Sequence, residues 1–378
     1  MSLQESDSLP ANACGYPLQL HPIFQERVWG QEDVSSLYVS RPAEPRRVGE
    51  VWLTGDNNRI QNGRWKNTAL GELARRLGST LLGEDVYKRL LPDLPVFPLL
   101  VKFIFTSDKL SVQVHPSDSY ARQREASAGK TEMWYVIEAE PGAKLAIGFR
   151  RDLPEQWSVD RAALRAAVES GGIEQMLNWM EVRAGESFFV PAGTVHAIGA
   201  GLVLCEIQQN SDLTYRFYDY NRPGSDGRPR PLHVDKALDV LAWETLGGRT
   251  SPLECGEDKQ IRMCLAACSH FATEKWKVEN PIQCSTARQF EIWIGIEGES
   301  EWEVGGQRWP FRKSDGMIIP ADVPGFSIIP VSPCVFLRTF VPDLERDVIA
   351  PLRARGYSES QLREVCFLPQ PPLPGDTR

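Results

Sequence analysis

The chain has 378 residues, 42% hydrophobic and 24% charged, and its 42 Lys and Arg against 50 Asp and Glu leave a net charge of −8. That composition excludes a disordered chain, since it can build sizeable cores in two or three domains, and the negative balance argues against nucleic-acid binding, which needs a basic surface. No apolar run reaches the ~18 residues of a membrane helix, and the longest, residues 95–105, is broken by Lys102. The first twenty residues lack an apolar h-region, so no secretory signal is expected. None of the eight cysteines forms a CxxC pair, which predicts reduced thiols in a cytoplasmic protein and argues against a cysteine zinc site. A histidine-based metal site must draw on His21, His115, His196, His233 and His270.

In chain order, residues 1–12 read as loose. Residues 68–91 read as helical, with Leu70, Leu73, Ala74 and Leu77 on one stripe. Short apolar runs follow at residues 96–104, 110–114, 133–137, 144–149, 187–190 and 202–208, with Pro or Gly between many of them, and they predict strands. Residues 152–180 read as a helical insertion, with segments 161–168 and 173–179 split by Gly171 and Gly172. After residue 250, runs at 255–277, 290–296, 301–304 and 317–320 predict further strands. The proline-rich stretch from Pro369 reads as extended or disordered. Many short strands with Gly/Pro turns favour a closed or sandwiched, mainly β architecture. The expected division is a catalytic domain over 13–250, a smaller β domain over 251–345 and a tail over 346–378. A weak repeat supports it: residues 131–139 resemble 290–298, and 185–192 resemble 314–321. Gly325 then falls where the first copy has His196, so the second copy is expected to lack a metal site.

The residues that point to chemistry are Gln113, His115, Glu132 and His196. Strand alternation puts Ser111, Gln113 and His115 on one face, with Val112 and Val114 on the other. Burying such polar groups is costly unless something satisfies them. Glu132 is a lone charge at the start of an apolar strand, and His196 follows the tight turn Pro191-Ala192-Gly193-Thr194-Val195. Two imidazoles, a carboxylate and an amide oxygen suit zinc with open positions. The two His and one carboxylate also match the ligand set of non-haem iron oxygenases.

The segments Ser111-Val112-Gln113-Val114-His115-Pro116, Gly129-Lys130-Thr131-Glu132-Met133-Trp134-Tyr135 and Gly193-Thr194-Val195-His196-Ala197 resemble the type I phosphomannose isomerases (mannose-6-phosphate isomerases) of the cupin superfamily. Gly49-Glu50-Val51-Trp52, residues 99–103 and Tyr215-Arg216-Phe217-Tyr218-Asp219-Tyr220-Asn221-Arg222 extend the likeness over residues 15–245. It is closest to the short bacterial branch. The resemblance implies a cupin-type β-barrel (jelly roll) with helical insertions, followed by a smaller cupin-like β domain. It implies one zinc ion on His115, Glu132, His196 and Gln113, with Gln113 the least secure ligand. It further implies that Arg216 is the active-site arginine and that mannose 6-phosphate and fructose 6-phosphate are interconverted.

Such an isomerisation moves a proton between C2 and C1 through a cis-enediol, so developing oxyanions need a Lewis acid or fixed cation. Arg216 can stabilise the enediolate. Lys102, Lys130 and Ser111 are expected to bind the sugar phosphate. The general base is open between a zinc-bound hydroxide, Glu206, Lys130 and Asp219. Arg222 reads as a surface residue, and His21 and His233 as surface or hydrogen-bonded. An iron oxygenase and a non-catalytic sugar-phosphate-binding protein are the alternatives. The expected partner is a small sugar phosphate, with neither nucleic acid nor membrane, on a monomer or homodimer.

Overall fold

The computed structural model describes residues 13–90, 97–153, 160–224, 227–244, 247–256 and 261–368. The loose ends expected at 1–12 and from Pro369 lie outside the described residues. The fold is mainly β, and its named strand pairs are antiparallel. Two compact units are present, neither continuous in sequence. One combines the described part of Met1–Ile23 with Leu53–Leu99 and Pro252–Phe367; the other combines Phe24–Trp52 and Leu100–Ser251 with Leu368.

The second of these units is a seven-stranded and a five-stranded sheet packed face to face. Trp134, Val136, Phe188 and Leu204 of the larger sheet share a core with Leu145, Ile147 and Ile198 of the smaller one. The larger sheet carries Leu99–Thr106, Glu132–Ala139 and Leu202–Gln209, and their inward faces change character along the strand. Ile104, Trp134, Val136 and Leu204 fill the apolar core, whereas Lys102, Glu132, Glu206 and Gln208 follow at two-residue steps and are buried too. A barrel with one apolar and one charged end results, and the charged end holds the site.

Helices cover the outer face of the five-stranded sheet. Arg161–Glu169, capped by Asp160, and Val234–Val240 pack on Val112, Val114, Tyr215 and Phe217. The expected second helix, 173–179, stops at Met176, and Leu177–Glu181 is a strand. Its pairing to Lys144–Phe149, with Leu145 opposite Met180, satisfies the backbone of a sheet edge. A short apolar run does not by itself distinguish the two outcomes.

In the other unit, the helical stretch expected over 68–91 is three helices, Leu70–Leu77, Ser79–Leu82 and Glu84–Leu90. Gly78 at φ 53° and Gly83 at φ 90° separate them. The stripe of Leu70, Leu73, Ala74 and Leu77 is buried as the spacing required. Ile261–Ala267 and Ala272–Val278 are the strands expected over 255–277, and Leu253–Glu254 is a further short strand just before them. This barrel is packed with Trp276, Trp293, Trp302, Phe311, Phe326 and Phe336. Trp293 lies opposite Arg338 here, as Trp134 lies opposite Glu206 in the first barrel. Glu291, matching Glu132 in the repeat, accepts from Trp293 Nε1 and pairs with Arg338 at 2.6 Å, while Glu274 pairs with the same guanidinium at 2.9 Å. Residues 345–354 and 359–362 are helical. All eight cysteines are free thiols. No helix among the described residues is long and apolar enough to cross a membrane.

Candidate active site

Four strands assemble the site. Val112–Val114 carries Gln113 with its valines buried in the outer core, which leaves Gln113 and the following His115 on the opposite face. In the ladder Gln113 lies opposite His196 on one side and Arg216 on the other. Residues directly opposite in an antiparallel pair project to the same face, so one register places all three together. Glu132 opens its strand opposite Gln208.

His115, Glu132 and His196 converge, each with a ligand atom within 4.8 Å of the others. His115 Nε2 and His196 Nε2 each lie 3.5 Å from a different oxygen of Glu132. Each imidazole is held from behind: Nδ1 of His115 meets the Leu213 carbonyl at 2.8 Å, and Nδ1 of His196 meets the Thr194 carbonyl at 2.9 Å. A carbonyl can only accept, so each Nδ1 carries the proton and each Nε2 lone pair faces the cluster, the arrangement of metal-binding histidines. Gln208 braces the loop behind His115 through the Gln209 and Ser211 carbonyls.

The electrostatics favour a cation at the centre. Burial, with the charge of Lys130, holds His115 well below its usual range, and burial brings His196 down to about 4. Both rings are therefore neutral ligands at pH 7. Burial and the neighbouring Glu206 push Glu132 up to about 7. Neither Glu132 oxygen receives a well-aligned hydrogen bond among the described residues. The Lys130 ammonium stands 2.9 Å from Glu132 Oε2 and 3.1 Å from His115 Nε2, showing that these atoms draw positive charge. This donor set fits a divalent ion.

The remaining expected residues divide. Gln113 reaches the cluster, its Nε2 3.2 Å from His196 Nε2, and Ser111 Oγ donates to Gln113 Oε1 at 3.0 Å. Ser111 thus orients the amide with its NH2 towards the cluster, so Gln113 Oε1 ligates an ion only after the amide turns over. Lys102 is buried and committed to Glu206 at 2.9 Å and Glu50 at 3.7 Å. Burial works against its charge, but Glu206 and Glu50 outweigh it and raise its pKa. Burial likewise works against an ionised Glu206, which Lys102 and Lys130 outweigh, and its Oε2 accepts from Trp134 Nε1. Asp219 is clamped by Arg222 at 2.7 Å and by Arg230, and stays ionised despite its burial. The Arg222 side chain is 14% exposed, so it belongs to this clamp rather than to the open surface. Arg216 is half-buried and its Nε has no partner among the described residues. Burial and the nearby Arg230 lower its pKa from the usual arginine range.

Glu50 is the residue that reading the sequence missed. It receives Arg27 at 2.8 Å and the Trp52 indole at 2.8 Å beside Lys102. Its signal was present: a lone carboxylate between Val48 and Val51 is the mirror image of the lone lysine at position 102.

Comparison with known proteins agrees with this geometry. The family model for the phosphomannose isomerase type I catalytic domain matches residues 18–146, and that for the mannose-6-phosphate isomerase cupin domain matches 260–330. The chain is 32% identical to the mannose-6-phosphate isomerase ManA of Bacillus subtilis (strain 168) over 84% of its length and 98% of that protein. It is 31% identical to the mannose-6-phosphate isomerase of Streptococcus mutans serotype c over 80% and 92%. The crystal structure of the Bacillus subtilis mannose 6-phosphate isomerase superposes with a TM-score of 0.76 at 28% identity, covering 86% of this chain and 99% of that one. The chain is therefore an isomerase of the cupin superfamily, belonging to the type I phosphomannose isomerase family.

Proposed function

We propose that this protein interconverts mannose 6-phosphate and fructose 6-phosphate through a cis-enediol(ate), with one zinc ion on His115, Glu132, His196 and Gln113. The observation that carries the proposal is the convergence of two Nε2 lone pairs on a carboxylate whose oxygens lack aligned donors among the described residues. When bound, zinc supplies the Lewis acidity that polarises the sugar carbonyl. The protein supplies the rest. Arg216, on the face shared with Gln113 and His196, holds the negative charge that develops on the enediolate oxygen. The Lys130 ammonium at the centre of the cluster is placed to hold anionic sugar oxygens, while Glu206 and Asp219 are ionised, the form a general base needs. Lys102 keeps Glu206 and Glu50 compensated, so the anionic sugar phosphate meets no bare carboxylates there.

The test is a coupled assay with mannose 6-phosphate, with and without a chelator, beside metal analysis. About one zinc per chain and chelator-sensitive turnover are expected; full activity in metal-free protein overturns the zinc assignment. Arg216→Ala should lower kcat about a hundredfold with zinc content unchanged. Unaltered kcat would remove Arg216 from the chemistry.

A further inference from the structure

Arg216 sits on Tyr215–Tyr218, the edge strand of the five-stranded sheet, and its inner neighbour is Val112–Val114. An edge strand presents unpaired N–H and C=O groups on its outer side. At Arg216 one residue satisfies both. The His233 N–H donates to the Arg216 carbonyl at 2.8 Å, and the Arg216 N–H donates to His233 Nδ1 at 3.3 Å. His233 imitates a neighbouring strand for one residue, using a backbone donor and a side-chain acceptor. It is also the residue from which Val234–Val240 starts, and that helix is anchored in the outer core through Ala237, Leu238 and Val240.

We infer that His233 is a positioning residue for Arg216, fixing the backbone that aims the guanidinium at the cluster, and that it does so in its neutral form. The inference rests on the role proposed for Arg216. The chemistry is specific: Nδ1 can accept from an N–H only when it is unprotonated. The surroundings favour that form. Arg216 faces the ring from the edge strand and Lys236 from its own helix, against the single carboxylate of Glu125 on Asp118–Glu125. Glu125 is itself engaged by Lys236 at 2.7 Å and by the Tyr215 hydroxyl at 2.8 Å. The Tyr215 ring lies 6.2 Å from the imidazole. Burial and the two cations hold the His233 pKa below 6.5. Protonation would turn Nδ1 into a donor facing the Arg216 N–H and release the bracket.

The test compares zinc-loaded wild type, His233→Ala and His233→Asn, with Arg216→Ala as reference. Asn offers an acceptor oxygen in the place of Nδ1 and does not titrate. His233→Ala should lose about ten- to a hundredfold in kcat, with zinc content retained and KM changed less than kcat. His233→Asn should recover most of that loss and flatten the acid limb of the kcat profile. Nitrogen-15 histidine spectra of the wild type should show an Nε2–H tautomer with Nδ1 accepting. Wild-type kcat and pH profile in both variants, or a protonated Nδ1, overturns the inference. So does a kcat loss in His233→Ala that tracks zinc loss. Should His233→Ala fail to fold, the flattened profile of His233→Asn and the tautomer decide alone. An unimpaired Arg216→Ala would instead strike the role of Arg216 itself.

Discussion

Glu50 is a buried carboxylate whose ionisation the fold enforces. Burial pushes its pKa up, but Lys102 and Arg27 outweigh that and bring it down from 4.5 to about 2. A depressed carboxylate pKa stabilises the fold above the unfolded value, and the contribution is lost as pH falls through the folded one. At pH 7 Glu50→Gln should therefore cost about 3 kcal/mol of stability, the equivalent of that shift. The difference from wild type should shrink between pH 4.5 and 2, as read by denaturant titrations across that range. The same residue shows where the sequence is legible and where it is not. Lys102, Glu132 and the histidines stand out because each is polar in an apolar strand. Their pairing does not, because Glu50 and Glu206 come from strands distant in sequence and are matched by sheet order. The carbonyls of Leu213 and Thr194, which set both imidazole tautomers, leave no mark in the sequence, since every residue has one.

At the scale of elements, the turn before Glu132 is held by a close approach. A Cβ on Gly129 would lie 2.4 Å from the Asp118 nitrogen and 2.6 Å from the Ser117 carbonyl carbon. The next residue, Lys130, donates its N–H to the Pro116 carbonyl at 3.0 Å. Gly129→Ala must displace this turn and with it Lys130 and Glu132. The expected result is a kcat loss of about tenfold or more, with reduced zinc occupancy and the fold preserved; steady-state kinetics, metal analysis and circular dichroism check it. Strand existence and facing were legible from alternation, as Val112 and Val114 against Gln113 and His115 show. What alternation could not convey is the fate of residues 177–179. There an available sheet edge turned a helix-like pattern into a strand.

At the scale of the whole molecule, two barrels share a plan, each with a buried cation between two carboxylates at its charged end. The first places Lys102 against Glu206; the second places Glu274 and Glu291 on either side of Arg338. Arg338 and Glu291 fill the positions that the first barrel gives to Glu206 and Glu132. Removing one member of a buried ionic group strands the others, typically at about 3–5 kcal/mol. Arg338→Met should lower stability by that amount, and adding Glu274→Gln and Glu291→Gln should recover much of it, measured by thermal and denaturant unfolding.

The interleaved chain has one more consequence, for synthesis on the ribosome. Leu18 and Gln19 emerge early, yet the strand they pair with, Gly316–Ile319, comes nearly three hundred positions later. Leu70, Leu73 and Leu77 likewise belong to a unit that needs Pro252–Phe367 to be complete. Phe24–Trp52 and Leu100–Ser251, which hold His115 and His196, are both complete by Ser251, so they can close first while these earlier segments wait with greasy side chains unsheltered. Nascent chains arrested near residue 300 should therefore show a protease-resistant body together with cleavable sites in Leu53–Leu99.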